Sequence, residues 1–412
     1  ITVNLPAGAA GSIVSLADYA ASWQTNNVTV TPNGSEKIGG VNANALLSTI
    51  GQSVTFVYVD STQGWLNTMD STSNVRGAAP FIAATVSGAC NTLTTVCTDY
   101  KLATFKGPGT FCVTAAGTPV GSNTVDYLVV AGGGGGAGNK YHNTAGGGAG
   151  AGGLRASACT YTIGAAPAAP LVGSPAVALP VPVQGYPITV GAGGAGGTDV
   201  PGNPPACGAK GANSIFSSIT STGGGFGGMT NAPTNVCAGP GGSGGGKGGG
   251  GPFPGPGIGN GNDPATTPPQ GNPGGTATVP CSNIGASGGG GAIAAGVGGS
   301  PSGGGAGGAG AGFPTVAVGT AGQNCGSYYY FSGGAGGSTY MPNPSPGPGG
   351  AGGLGGGAVG KAGDASPFLG VNGTVNTGGG ASAPGGSPTC SGSYRSGGTG
   401  GSGIVIIRYK FQ

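Results

Sequence analysis

Apolar residues occupy both faces of one stretch of the chain, and a glycine run follows it directly. Within 124–130, alternate residues fall on opposite faces of a strand, and both sets are mostly apolar. We therefore expect this strand to be buried on both faces. Further strand-like runs follow at Tyr186–Val190, Ser214–Ile219 and Ile404–Phe411, and glycine leads into the last of them. The pattern predicts a small β framework that carries a large glycine-rich body.

Alternating apolar and polar residues also fill residues 1–86, which we expect to form a compact β module. Asn-Gly and Gln-Gly turns separate its strand-like segments. Trp23 and Trp65 are interpreted as core residues of this module. Residues 87–126 continue the β pattern and open a second domain, 127–412, which the strand 404–411 closes. The predicted fold class is mainly β, with essentially no α-helix.

Glycine is concentrated in the later part of the chain. Residues 1–126 hold 13 of the 103 glycines, so the remaining 286 residues hold 90. Collagen is excluded because the glycines come in runs rather than at every third position. Charged residues make up 5%, which argues against a solvated disordered tail. The net charge of +3 is too small to drive nucleic-acid binding, and no apolar stretch is long enough for membrane insertion.

Glycine runs broken by alanine and bounded by proline recur from residue 131 onwards. We expect them to form polyglycine helices of the polyproline II type, with three residues per turn. Such helices have no internal hydrogen bonds, so neighbouring helices must supply partners for the backbone groups. The alternative is a flexible linker, against which the interspersed cysteines argue. The runs lie near 132–138, 146–153, 191–197, 223–228, 239–251, 288–298, 303–312, 333–337, 347–360, 378–386 and 397–403.

Cysteine spacing indicates disulfides rather than a metal centre. No CxxC pair occurs and the only histidine is His142, so neither a zinc site nor another cofactor is expected. We expect six or more of the nine cysteines to be oxidised in an extracellular setting. Cys90 and Cys97 flank a short loop and are candidates for a disulfide that joins the two sides of a hairpin. Because nine is odd, at least one cysteine is free or bonds outside the chain.

Two glycine motifs resemble phosphate-binding loops but lack the required context. The GxGxxG pattern at 133–138 follows a strand, yet no acidic residue lies between Asp126 and Asp199. A dinucleotide site needs a following helix and an acid about 20 positions on. The GxxxxGK pattern at 241–247 has Gly248 where serine or threonine would bind magnesium. Nucleotide binding is not expected.

Acidic residues are too sparse to favour catalysis. Asp18, Asp60 and Asp70 are the carboxylates that would have to converge in a glycoside hydrolase. Acids in turns more often provide solubility. After residue 127 only three acids and one histidine occur, far apart in the sequence. The chain is therefore not expected to be an enzyme.

The series of strand and glycine edges resembles a known domain. YLVVAGGGGGAG, GGSGIVIIRYKF, YKLATFKGPGTFCV (100–113) and YPITVGAGGAGG (186–197) are similar to the glycine-rich domain at the ends of many bacteriophage tail fibres, over roughly 98–412. The segments GSIVSLADYAASWQTNNVTVTPNGSEKIGG and SVTFVYVDSTQGW resemble a small β module repeated in tail fibres of marine phages. The composition also resembles that of the tip adhesins of T-even phages, whose glycine-rich domain presents variable loops.

This resemblance implies an extracellular location on a virion tail fibre. It further implies a host cell-surface receptor, protein or glycan, and other virion appendage proteins as partners. Fibres of this kind are cyclic assemblies, so we expect a homo-oligomer, most simply a trimer, formed through residues 1–86. Since the chain begins at Ile1, we expect it to be processed or to be the C-terminal part of a longer protein.

Aromatic residues in the connectors between glycine runs are the candidate receptor-binding residues. We expect these rings to lie on exposed loops, where tyrosines give large contact areas at low entropic cost. The alternative for Tyr328–Phe331 is packing against the side of the bundle or against another subunit. The alternative function is a structural extracellular filament or matrix protein assembled through glycine-rich faces. The candidates are Tyr141, His142, Phe253, Tyr328, Tyr329, Tyr330, Phe331, Tyr340 and Tyr394.

Overall fold

The computed structural model of the chain divides into two compact units, Ile1–Ala78 and Ala79–Gln412. The division falls before the predicted boundary at residue 86, because Ile82–Val86 pairs with Gly109–Ala116 in the second unit. The segment 87–126 belongs to the same unit as the glycine runs. The structure describes residues 1–71, 80–119, 121–138, 144–157, 177–198, 207–229, 238–250, 257–276, 285–340, 347–363, 369–386 and 395–412.

Two three-stranded sheets make up the first unit. Its strands are β1 (Thr2–Asn4), β2 (Ile13–Ala17), β3 (Val28–Thr31), β4 (Ala45–Leu47), β5 (Ser53–Asp60) and β6 (Gly64–Ser71). The sheets have the orders β1-β3-β4 and β2-β5-β6. Trp23 and Trp65 both lie in the buried core, as predicted, and Trp65 packs edge-on against Tyr58 at 5.5 Å. The alternation predicted all of these strands except β4.

Asp18 and Asp60, two of the three acids considered for catalysis, hold turns of the first unit. Asp70 lies in β6 and accepts a bond from the side chain of Gln52 at 3.0 Å. Asp18 is buried and accepts hydrogen bonds from three backbone N–H groups, one of them that of Gly51 at 2.9 Å. Asp60 accepts a bond from the N–H of Gln63 at 2.7 Å. Gly51 precedes β5 and Asp60 ends it, and a strand rises about 3.3 Å per residue. The carboxylates of Asp18 and Asp60 therefore lie too far apart to act as a pair.

Two larger sheets form the framework of the second unit. Their orders are β17-β16-β15-β10-β7 and β13-β11-β22-β9-β8, and β14 pairs with β11. A core that includes Phe105, Phe111, Tyr127, Phe216 and Tyr409 lies between them. The strands are β7 (Ile82–Val86), β8 (Thr92–Val96), β9 (Tyr100–Phe105), β10 (Gly109–Ala116), β11 (Thr124–Val130), β12 (Thr144–Ala145), β13 (Leu154–Ala156), β14 (Leu179–Pro180), β15 (Gly185–Thr189), β16 (Ser214–Phe216), β17 (Ile219–Ser221), β18 (Gly249–Gly250), β19 (Ala311–Pro314), β20 (Gln323–Cys325), β21 (Tyr328–Phe331) and β22 (Ile404–Lys410).

The central strands β11 and β22 pair antiparallel and are buried on both faces, as the sequence pattern predicted. One face packs in the core between the sheets. The other packs in a second core with Phe313, Phe331 and the short helix α1 (Thr315–Val318). The predicted single strand Ser214–Ile219 is wrong, because Ser217 takes a positive φ of 53° and reverses the chain into the β16–β17 hairpin.

A buried ion pair joins the two central strands. Asp126 and Arg408 face each other across the ladder, with Nη1 and Oδ2 3.5 Å apart. Ser157 donates to Asp126 Oδ1 at 3.0 Å, and the guanidinium carbon of Arg408 lies 3.7 Å from the centre of the Tyr100 ring. These contacts offset part of the cost of removing the pair from water, although none of these hydrogen bonds involves the buried Arg408 Nε.

The glycine runs form an ordered bundle with the hydrogen-bond repeat of a three-residue helix. In 131–136, every third N–H group donates to the same neighbouring run: the acceptors are Gly153 and Gly150, then Ala212 and Ala209, then Gly401 and Gly398. Three other runs donate back, through Gly224 and Gly227, Gly194 and Gly197, and Ala381. One run therefore has six hydrogen-bonded neighbours. This arrangement confirms the predicted three residues per turn and the interhelical bonding.

The β ladders set the register of the bundle. Val130 pairs with Ile404, and three residues later Gly133 donates to Gly401, so each step forward on one segment is a step back on the other. The same holds for β11 and β13: Val130 pairs with Leu154, and four residues later Gly134 donates to Gly150, four residues before Leu154. The helices thus continue the strands without a change of partner.

Close approach of backbones explains why the bundle needs glycine. A Cβ atom added to Gly135 would lie 2.0 Å from the carbonyl oxygen of Ala195, and one on Gly133 would lie 2.1 Å from that of Gly379. Real Cβ atoms do not approach carbonyl oxygens so closely. Alanine occurs where the backbone leaves room, as at Ala149 and Ala151, which are fully buried.

The five described cysteines are free, so the predicted disulfide between Cys90 and Cys97 is not formed. The expectation of six or more oxidised cysteines is wrong as well, because only four of the nine remain. Cys90 precedes β8 and Cys97 follows it. Because an extended strand rises about 3.3 Å per residue, their Cα atoms lie on the order of 20 Å apart. A disulfide requires less than about 7 Å. Cys159, Cys237, Cys281 and Cys390 lie outside the described residues.

Candidate functional site

Ends of many glycine runs meet on the side of the bundle away from the framework. The run 131–138 leaves β11 and extends about 3.1 Å per residue, on the order of 20 Å in all. At its far end, β12 pairs with β18, Gly285 bridges Thr339, and Tyr340 bridges Gly386. We call this region the distal end, defined by the described residues Thr144, Gly249, Gly285, Thr339, Tyr340, Lys361, Gly386 and Arg395.

Several candidate residues belong to connectors that join these run ends. Tyr141, His142, Phe253 and Tyr394 lie outside the described residues, so their placement is not tested. The chain nevertheless enters and leaves their connectors at described positions of the distal end. Thr144 follows the connector that carries Tyr141 and His142, and Arg395 follows Tyr394.

Tyr340 is the candidate that the structure places at the distal end. Its side chain is half-buried, and its backbone bridges Gly386. A Cβ atom on Gly386 would lie 3.0 Å from the Tyr340 ring, so the ring rests against a glycine backbone. The hydroxyl of the preceding Thr339 donates to the carbonyl of Gly347 at 2.9 Å. Tyr340 is therefore held by its neighbours, with part of the ring open to solvent.

The prediction that Tyr328–Phe331 forms an exposed tip loop is wrong. These residues form β21, the central strand of the sheet β19-β21-β20, which packs on the framework. Phe331 is fully buried against Phe313, at 6.1 Å between ring centres. Strand alternation sends Tyr329 and Phe331 to the same face, so both pack on the second core. The packing alternative was the correct interpretation for this cluster.

The other face of β21 is also largely enclosed. Tyr330 is buried, and a Cβ on Gly312 would lie 2.8 Å from its ring. Burial, and then the nearby Cys325 and Tyr328, raise the pKa of Tyr330. Tyr328 remains half-exposed. Within this cluster, Tyr328 and Tyr329 are the only described side chains that solvent reaches appreciably.

Three basic residues lie at or beside the distal end, and sequence reasoning did not connect them. Lys247 lies two residues before the start of β18, and the carbonyl of Lys361 accepts a bond from the N–H of Thr339 at 2.9 Å. The guanidinium of Arg395 donates to the carbonyl of Gly385 at 3.3 Å. Lys247 and Lys361 are half-buried, whereas Arg395 is buried. Following the direction of each run away from the framework would have brought them together.

The glycine motifs of the sequence use their amides inside the bundle. The N–H groups of Gly133 and Gly135 donate at 2.9 Å to Gly401 and Ala209. Every N–H group in 241–246 likewise donates to a backbone carbonyl. These groups are therefore not available to cradle a phosphate.

Within the described part of the chain, no group of three His, Cys, Asp or Glu side chains could hold a metal ion. No described helix is long and apolar enough to cross a membrane.

A family model for a glycine-rich domain matches residues 106–410 of the 412. The match begins in the turn after β9 and ends at the last residue of β22. A comparison with curated proteins found no match.

Proposed function

Because the chain belongs to the glycine-rich domain family, we propose that it is the distal part of a virion tail fibre and attaches the particle to a host cell surface. The glycine bundle is the rigid support, and the distal end carries the receptor contact. The receptor is a surface protein or glycan, and the chain acts outside the cell without catalysis or a cofactor.

The observation that carries this proposal is the grouping of run ends on one side of the bundle. Hydrogen bonds join Thr339 to Lys361 and Gly386 to Thr339, so these ends are fixed relative to one another. Connectors held at fixed ends lose less conformational entropy on binding than free loops do. A rigid support that carries its connectors on one end suits receptor recognition.

Assembly of several chains through the first unit would give one particle several receptor contacts. Ile13, Val57 and Leu66 are neighbours across three strands of the sheet β2-β5-β6, and the side chain of Ile13 is 65% exposed. Met69, opposite Thr55, is 69% exposed. A trimer formed on this face presents three distal ends, which raises avidity without stronger single contacts. Light scattering should give a trimeric mass for the intact chain, and a monomeric mass contradicts this part.

The attachment test uses fluorescently labelled chain on host cells. We expect Tyr340→Ala to lower cell binding several-fold while lowering the melting temperature only slightly, since part of the ring is exposed to solvent. Tyr19→Ala is the matched control, because Tyr19 is 95% exposed but belongs to the first unit. Equal cell binding by both variants would show that Tyr340 is not part of the receptor contact.

Electron microscopy separates this proposal from the filament alternative. Gold-labelled antibody against the chain should mark the tips of fibres on purified particles. Helical polymers of this chain alone, without particles, would refute the proposal and favour an extracellular filament.

A further inference from the structure

Charge is distributed unevenly between the two parts of the sequence. Residues 1–126 hold four basic and six acidic residues, and residues 127–412 hold eight basic and three acidic ones. The net charges are therefore −2 and +5, which add to the +3 of the whole chain. The glycine-rich domain is the basic part of the protein. Its basic residues are Lys140, Arg155, Lys210, Lys247, Lys361, Arg395, Arg408 and Lys410, and its acids are Asp199, Asp263 and Asp364.

The described basic residues of the distal end lie around Tyr340. The N–H of Thr339, the residue before Tyr340, donates to the carbonyl of Lys361. The backbone of Tyr340 bridges Gly386, and the preceding carbonyl, that of Gly385, accepts a hydrogen bond from Arg395. The Lys361 backbone and the Arg395 side chain are therefore both hydrogen-bonded to neighbours of Tyr340. Asp263, the described acid among residues 127–412, is on the opposite side: its N–H donates to the carbonyl of Gly241, beside the framework.

We infer that the distal end binds an anionic surface polysaccharide, one that carries carboxylate, sulfate or phosphate groups. This inference rests on the proposed attachment function and names its ligand class. Lysine ammonium groups on flexible stems attract anions while their stems pack on the bundle. Tyr340 offers a ring face to the apolar side of a sugar. A positive end with a single described aromatic ring suits a charged glycan chain.

A nucleic acid fits these observations less well. Tight binding to a nucleic-acid backbone uses many lysine and arginine contacts. Three described basic residues lie at or beside the distal end, and Arg395 is buried. A glycan segment can bind through these few charges and use the aromatic ring as well.

The test measures binding of the intact chain to immobilised dextran sulfate, with neutral dextran of equal length as reference. We expect binding to dextran sulfate only, weakening as salt rises, because the Debye length shortens from about 8 Å at physiological ionic strength. Lys361→Gln and Lys247→Gln should each weaken binding about two- to fivefold, as for ion pairs near a protein surface. Each should also make the affinity depend less steeply on salt, because fewer counterions are released on binding.

Lys106→Gln is the matched control, since Lys106 is exposed in the turn between β9 and β10, away from the distal end. A loss in this variant equal to that in Lys361→Gln would overturn the inference, because the effect would then follow total charge. Binding to duplex DNA as tight as to dextran sulfate would also overturn it.

Cell attachment distinguishes this inference from the proposed function. Attachment that persists unchanged at about 0.5 M salt, where the Debye length is only a few ångströms, refutes the anionic ligand but leaves the adhesion function standing. If the wild-type chain fails to attach to any host cell while still binding dextran sulfate, the adhesion function fails instead, and the inference loses the role on which it rests.

Discussion

Replacing Gly135 by alanine tests the packing of the bundle at one atom. The new Cβ would lie 2.0 Å from the carbonyl oxygen of Ala195. A tolerable contact between carbon and oxygen is about 3.3 Å, so the runs 131–138 and 191–198 would have to separate by about 1.3 Å. No flexible side chain can yield here, because the obstructing atom belongs to the backbone.

The cost follows from the bonds that join these two runs. Gly194 donates to Gly133, and Gly197 to Gly136, at 2.9 and 2.8 Å. A separation of about 1.3 Å breaks both and leaves buried carbonyl groups unpaired, at about 1–3 kcal/mol each. Alanine also restricts the unfolded chain, which offsets about 0.4–1 kcal/mol of this loss of stability. We therefore expect Gly135→Ala to destabilise the domain by about 1–5 kcal/mol.

Gly257→Ala is the control for this prediction. A Cβ atom added to Gly257 would have no other atom within 4 Å, and the φ of this residue is not in the left-handed region. The substitution should leave the domain unchanged or stabilise it by about 0.4–1 kcal/mol. Differential scanning calorimetry should show a lower melting temperature for Gly135→Ala by at least about 2 °C. Equal melting temperatures for the two variants would refute the close-packed bundle.

Three further outcomes are expected. Amide hydrogen exchange should be slow throughout 131–136, where every N–H has an acceptor, and faster at Ala192, whose amide has no backbone acceptor among the described residues; uniform exchange contradicts the bundle. Burial raises the pKa of Tyr409 to about 12, above the value of about 10 in the unfolded chain. The free energy of unfolding should therefore fall as the pH rises from about 10 to 12, and Tyr409→Phe should reduce that fall. In the intact protein, iodoacetamide should label Cys90 faster than the half-buried Cys112; resistance of both without reductant would indicate disulfides.

The strands and the helices of the second unit depend on each other. The pairings of β11 with β22 and with β13 continue into the glycine runs with unchanged offset. A polyglycine helix has no internal hydrogen bonds and no side chains to fix its register. The apolar ladder supplies that register, since a slip by one residue would turn Val129 and its neighbours out of their cores. The same framework therefore aligns the run ends at the distal end.

The aromatic cluster shows where sequence reasoning reached its limit. Four consecutive rings between glycine runs were expected on a loop, but strand alternation and pairing with Ala311–Pro314 make them a sheet. The local signal is the short turn at Gly326, which joins β20 to β21 as a hairpin, but it does not reveal the second partner strand or the burial of the sheet. The partner strand lies on the far side of helix α1, and the receiving surface is the second face of β11 and β22.

Local pattern alone determined most elements of this protein. Two apolar faces predicted a doubly buried strand at 124–130, alternation predicted the sheets of the first unit with Trp23 and Trp65 in its core, and glycine runs predicted helices bonded to their neighbours. These features depend on period and on the absence of a side chain, both of which are written in the sequence. Only the tertiary structure decided which runs are neighbours and which residues share the distal end. Glycine runs are nearly identical to one another, so their partners follow from the direction and register that the framework strands impose, and these arise from contacts between residues far apart in the chain.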